Sequence, residues 1–215
     1  LLQQSTIERT RLHTEMELAR NVQNRLMPPS TLEMPGLSVI ARSRPALQVG
    51  GDFCELIPQA GDRLTLCVGD VSGKGMPAAL VMAMSHTVAL SAAQFMPDPT
   101  PQRVLQRFSD NLYDDLTQLG SMVTLFVGTY SARDRQLACA NAGHAPVIYR
   151  PFDGRAVLLE ADCPPVGVIR DCAAPGCLLT LRPGDVLVAA TDGFSEAHDA
   201  SESMFGIERL LQLVD

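Results

Sequence analysis

Three aspartates share one local pattern. Asp52 lies in Gly50-Gly51-Asp52-Phe53, Asp70 ends an apolar run in Val68-Gly69-Asp70-Val71, and Asp192 ends another in Ala190-Thr191-Asp192-Gly193. Each has a glycine beside it, and no obvious basic partner accompanies them. A carboxylate at the end of a buried strand is costly unless it is paired or bound to a cation. Glycine lets a ligand or an ion approach the backbone closely. The chemistry such a set would do is oxygen coordination of a hard divalent cation that keeps several of its waters. The same residues also suit plain turns, where Asp-Gly is common, and spacing alone leaves both readings standing.

Other site chemistries fail on spacing. Gly69-Asp-Val-Ser-Gly73-Lys74-Gly75 has three residues between its glycines where a P-loop needs four, and Gly follows its Lys instead of Ser or Thr. Ser195, in Gly193-Phe-Ser-Glu-Ala, lacks the second glycine of a nucleophile elbow. The four histidines, at 13, 86, 144 and 198, form no His-x-x-x-His pair, which argues against a zinc protease. His144, in Asn141-Ala-Gly-His144, is the one in a turn between strand-like runs, and it reads as a structural hydrogen-bonder near the site. Lys74 reads as an exposed turn residue.

Elements must exist to carry these groups. The chain has 215 residues, 46% of them apolar and 19% charged, with 17 basic against 24 acidic side chains for a net charge of −7. That is globular composition, in a length that suits one domain plus an appendage. The acidic balance, with no basic stripe, disfavours nucleic-acid binding. The six cysteines, at 54, 67, 139, 163, 172 and 177, form no Cys-x-x-Cys, and are read as reduced thiols of a cytoplasmic chain. Met76 to Pro97 carries no charge. Its six alanines and scattered polar residues fit a helix buried on a sheet better than a membrane span, so no membrane contact is expected.

Residues 5 to 27 lack Gly and Pro, and place Leu12, Met16, Ala19, Val22 or Gln23, and Leu26 near one helical face. This helix either docks on a partner or packs on its own domain. Strands are expected at 37–42, 53–58, 64–71, 122–130, 136–141, 146–150, 156–159, 177–181 and 186–190. Helices are expected from Met76, from Pro101 to about Leu119, near Gly193 and from Gly206. Strands in runs around a pair of helices disfavour βαβ alternation and favour an antiparallel α+β layered fold.

The motifs also follow a recognisable order. They are Glu17-Leu-Ala-x-x-Val-Gln-x-x-Leu-Met-Pro28, Val49-Gly-Gly-Asp52-Phe53, Gly69-Asp-Val-Ser-Gly-Lys-Gly-Met-Pro-Ala-Ala79, Val123-Thr-Leu-Phe126, Ala140-Asn-Ala-Gly-His144, Pro183-Gly-Asp185, Thr191-Asp-Gly-Phe-Ser-Glu-Ala197 and Phe205-Gly206. In this order, over nearly the whole chain, the sequence resembles the SpoIIE/RsbU-like branch of the PPM (type 2C) metal-dependent serine/threonine protein phosphatases.

The resemblance implies a four-layer α-β-β-α sandwich of two antiparallel sheets flanked by helices. Residues 1–28 would be a linker or switch helix, and 29–215 the phosphatase domain, without the final helix and Asp-Asp strand of similar proteins. It implies two Mn²⁺ or Mg²⁺ ions. Asp70 would bridge them, with the Val71 carbonyl as a further ligand, Asp52 on the second metal and Asp192 on the first. Gly51, Gly193, Glu55 and His144 would stand around the ligands. Glu55 departs from the family, which often has Tyr-Asp where Cys54-Glu55 stands. Ser72 stands where eukaryotic relatives carry a His, so no residue is assigned to protonate the leaving group. The implied substrate is phosphoserine or phosphothreonine on a small STAS-domain regulator. The phosphatase would be the cytoplasmic output of a sensor, which itself could be membrane-anchored, and the N-terminal helix can pair with its copy in a dimer. The rival expectation is a phosphatase-like module without catalysis that regulates a partner by docking.

Overall fold

The computed structural model describes residues 2–171 and 174–215, and within them the side chains from Glu8 onward except that of Arg9. Helix α1 runs Leu2–Leu26 and is followed by a hairpin of β1 (Thr31–Met34) and β2 (Leu37–Ile40). The sequence reading had no strand at β1, because a four-residue run offers too little periodicity to separate it from a loop. Strands β3 (Phe53–Gln59) and β4 (Arg63–Val71) precede α2 (Met76–Phe95) and α3 (Pro101–Leu119). Then come β5 (Val123–Ser131), β6 (Gln136–Ala142), β7 (Val147–Arg150), β8 (Val157–Leu159), β9 (Cys177–Thr180) and β10 (Val186–Val188). Short helices α4 (Asp192–Ser195) and α5 (Ile207–Val214) end the chain.

The main sheet has the order β3-β4-β5-β6-β9 and is antiparallel throughout. Its one face is covered by α2 and α3. Phe53, Cys67, Val71, Leu125 and Val127 meet Met82, Ala89, Ala93, Phe108 and Leu112 there in one buried cluster. The small alanines of α2 bring that helix close to the sheet, and it packs on β3, β4 and α3, as expected for a core helix. α2 is also the one helix among the described residues that is long and apolar enough to cross a membrane. Thr100 caps α3 by accepting from the Arg103 amide, and Gly120 ends it in the left-handed region at φ 62°.

The other face meets the β1-β2 hairpin and a three-stranded sheet, β10-β7-β8. Leu64, Tyr130 and Leu137 pack against Leu32, Val39 and Leu187, while Phe126 and Val147 form a second cluster with Leu159 and Ala189. α5 lies on β7 as the outer helix. The result is the α-β-β-α layering expected.

The cysteine expectation needs correction. Cys139 and Cys177 are directly opposite in the β6-β9 register, with Cα atoms 5.1 Å apart, and are joined as a disulfide. Cys163 is also disulfide-bonded. Strand register brings the first pair together across 38 residues, which no local Cys spacing announces. Cys54 and Cys67 are free thiols, and Cys172 lies outside the described residues.

Candidate functional site

Strand alternation decides which side chains reach the space between the sheets. On β4, Thr65, Cys67, Gly69 and Val71 point to the helices, so Asp70 points the other way, beside Thr124 of β5 in register. Asp52 immediately precedes β3, and Asp192 opens α4 just after β10. All three aspartates therefore come together at one end of the inter-sheet space. A groove of about 640 Å³ runs to Asp52, with Thr191, Leu56, Leu187, Phe194 and Phe205 in its walls.

The aspartates influence one another strongly. Asp70 is pushed up to about 7, chiefly by burial and then by the charges of Asp52 and Asp192. When protonated, it is the donor of the hydrogen bond it shares with Asp52. Burial also raises Asp52, against the hydrogen bonds from Asp70 and from Thr191, whose hydroxyl donates to Asp52 Oδ2 at 3.3 Å. Asp192 is exposed and acts on the other two through its charge. Among the described residues no three such side chains already converge as a chelate. The arrangement is a proton-sharing pair with a third carboxylate facing it.

The surrounding residues separate into those at the pair and those elsewhere. A Cβ on Gly51 would lie 2.6 Å from the Val71 carbonyl oxygen and 3.2 Å from Asp70 Oδ1. The glycine thus keeps clear a pocket bounded by the Val71 carbonyl and Asp70. A Cβ on Gly193 would meet only Thr191 Oγ1, at 4.0 Å. Glu55 does not join the site. It alternates with Phe53 and Ile57 onto the helix face of β3, where its carboxylate is buried against His86 Nδ1 of α2. Strand period, not sequence distance from Asp52, fixes that outcome. Lys74 is exposed, and Ser72 is held by the Met122 backbone in both directions.

One contact was missed by sequence reading. Gln23 is buried at the end of α1, and its amide bonds both sides of the Gly50 backbone, donating to the carbonyl at 2.7 Å and accepting from the N–H at 3.1 Å. It sits in the Val22-Gln23 pair of the helix motif quoted above, where a polar residue on the apolar face was the available signal. Two part-buried hydrogen bonds are worth about 2 kcal/mol together. Gln23→Ala is expected to raise amide hydrogen exchange in the last turns of α1 and in the Gly50–Asp52 segment, and to lower activity severalfold. Exchange rates equal to wild type in both segments would contradict this.

The raised Asp70 gives a pH dependence. Below its ordinary value of 3.8 the folded and unfolded chains both hold this proton; between there and about 7 only the folded chain does. The unfolded state then gains, so metal-free stability falls across that window as pH rises. Thermal melts in EDTA should show the decline, and Asp70→Asn should flatten it.

This layered fold is the one found in PP2C-type phosphatase domains. The solved PP2C domain of SiaA from Pseudomonas aeruginosa superposes with a TM-score of 0.78 at 20% identity, over 96% of this chain and 82% of that one. The chain belongs to the family described as Stage II sporulation protein E (SpoIIE), which matches residues 60–215. It is 29% identical to phosphoserine phosphatase RsbU of Bacillus subtilis over 86% of its length, and 26% identical to protein IcfG of Synechocystis over 92%. It spans 54% of RsbU and 35% of IcfG.

Proposed function

We propose that the chain hydrolyses phosphoserine or phosphothreonine on a regulatory protein, through two Mn²⁺ or Mg²⁺ ions held by Asp52, Asp70, Asp192 and the Val71 carbonyl. The observation that carries this reading is the coupled Asp52–Asp70 pair, whose repulsion a cation would relieve, beside a glycine that leaves room for an ion. When bound, such ions polarise phosphate oxygens and bring a water to a nucleophilic state near neutral pH. Asp70, on which the charges of Asp52 and Asp192 both act, would serve both ions. Asp52 is oriented by Thr191. Asp192, being exposed, is open to solvent and to an incoming phosphoryl group.

The side chains nearby support direct attack by water over a covalent enzyme intermediate. The Cys54 thiol is pushed up to about 11 by burial and by the Glu55 and Asp52 charges, so it is a poor thiolate source. Ser195 Oγ bonds the Asp192 carbonyl, and Ser72 Oγ is engaged by Ser121 and the Met122 amide.

RsbU bears the name phosphoserine phosphatase, and on that likeness the substrate is read as a phosphorylated STAS-domain regulator. Residues 29–215 would act as the catalytic body and 1–28 as its link to a sensor. Met16, Ala19, Gln23 and Leu26 face the body, while Leu12, Leu18 and Val22 are exposed and free to pair with a second copy. The reading places the domain in the cytoplasm. The substrate assignment is tested by phosphate release from a phosphoserine-bearing STAS protein against phosphocasein. A preference for the STAS protein is expected, and equal rates would remove that assignment.

A further inference from the structure

His144 is the buried ionisable side chain that the hydrolytic scheme leaves without a task. It is 2% exposed. Its backbone is clamped by Asn141, whose Oδ1 accepts from the His144 amide at 2.8 Å and whose Nδ2 donates to the His144 carbonyl at 3.3 Å. The turn that Asn141 and Gly143 make therefore exists to aim this ring. On one side, His144 Nδ1 is 2.9 Å from Thr124 Oγ1. Thr124 faces Asp70 across the β4-β5 register, and its hydroxyl also lies 3.5 Å from the Asp70 carbonyl oxygen. On the other side, Nε2 is buried with no hydrogen-bond partner, and the backbone that acts on the ring is that of Ala190. Ala190 stands two residues before Asp192, and Thr191 between them holds Asp52.

From this geometry we infer that His144 is a positioning residue: it spans the gap between the β4-β5 pair carrying Asp70 and the segment carrying Asp192, and so sets the separation on which cation affinity depends. The inference rests on the metal-dependent reading above. The neutral ring shares one hydrogen bond with the Thr124 hydroxyl through Nδ1 and turns Nε2 toward the Ala190 backbone. Burial pulls the ring down to about 4, which keeps it neutral at physiological pH and unsuited to donating a proton to a leaving group. Residues that orient metal ligands without touching the ion typically change affinity by about 10- to 100-fold when removed.

The test is Mn²⁺ binding by calorimetry on the whole chain, with melting temperatures and p-nitrophenyl phosphate turnover at saturating Mn²⁺. The variants are His144→Ala, His144→Gln, Thr124→Val and the Ala/Val double variant. His144→Ala and Thr124→Val should each weaken Mn²⁺ binding about tenfold, and the double variant should be no weaker than the worse single one, since both break one link. His144→Gln, which keeps a planar donor and acceptor, should recover part of the loss. Turnover at saturating Mn²⁺ should stay close to wild type. Unchanged Mn²⁺ affinity in folded His144→Ala or Thr124→Val overturns the inference, even if melting drops, as do additive losses in the double variant. A loss of saturated turnover with unchanged affinity would overturn it in favour of a catalytic role. If His144→Ala fails to fold, Thr124→Val and His144→Gln decide on the same criteria. A wild-type chain that binds no Mn²⁺ removes the metal-dependent reading itself, and this inference with it.

Discussion

Asp70→Asn is expected to lower phosphate release by at least about 1000-fold while leaving the fold intact, because about 4 kcal/mol of barrier lowering passes through this carboxylate. Asp70 is pushed up to about 7 by burial and then by the charges of Asp52 and Asp192. An asparagine keeps the shape and one acceptor oxygen but removes the charge that serves two ions. In metal-free protein the effect has the opposite sign. The substitution relieves a crowded acidic cluster, so melting at pH 8 in EDTA should rise. Both outcomes are read on one variant, by phosphate release and by thermal melting. Activity above about a tenth of wild type would contradict the role given to Asp70, since a loss of even 1.4 kcal/mol is tenfold.

Gly51→Ala should be nearly as damaging, for a steric reason. The added methyl would stand 2.6 Å from the Val71 carbonyl oxygen, which is backbone and cannot swing away, and 3.2 Å from Asp70 Oδ1. Val71 is itself tied to Gly51 by a backbone hydrogen bond of 3.3 Å, so relief must move the strand end that carries Asp70. Displacement of reacting groups by about 1 Å costs on the order of 100-fold. We expect that loss in turnover together with weaker Mn²⁺ binding. Gly193→Ala, where the methyl meets open space, is the control, and should lose far less. Equal activity of Gly51→Ala and wild type would show that the Val71 carbonyl and Asp70 do not need this clearance.

Much of this arrangement was legible in the sequence, for identifiable reasons. Strong apolar runs ending in Gly69-Asp70 and Thr191-Asp192 marked strand ends, and α3 was bounded by Pro101 and by Gly120 in the left-handed region. Alternation along β4 was enough to place Asp70 opposite the helix face. What failed was set by pairing between distant segments. Glu55 is three residues from Asp52 in sequence, yet strand alternation turned it to His86. Cys139 and Cys177 met because β6 and β9 share a register, and Gln23 reached Gly50 because α1 ends against the metal-side loop. Each of these is a long-range geometric consequence that single-residue spacing does not encode. His144 was legible as a turn residue, but its contact with Thr124 was not.

The most direct test of the whole account is phosphate release from a phosphoserine peptide as Mn²⁺ is titrated into the chain and then withdrawn with EDTA. The account predicts no release without metal, a rise that saturates as the aspartates fill, and full loss on chelation. Hydrolysis that persists in EDTA would contradict it. So would a chain that binds Mn²⁺ by calorimetry and releases no phosphate at saturation, which would make this domain a docking module in place of an enzyme.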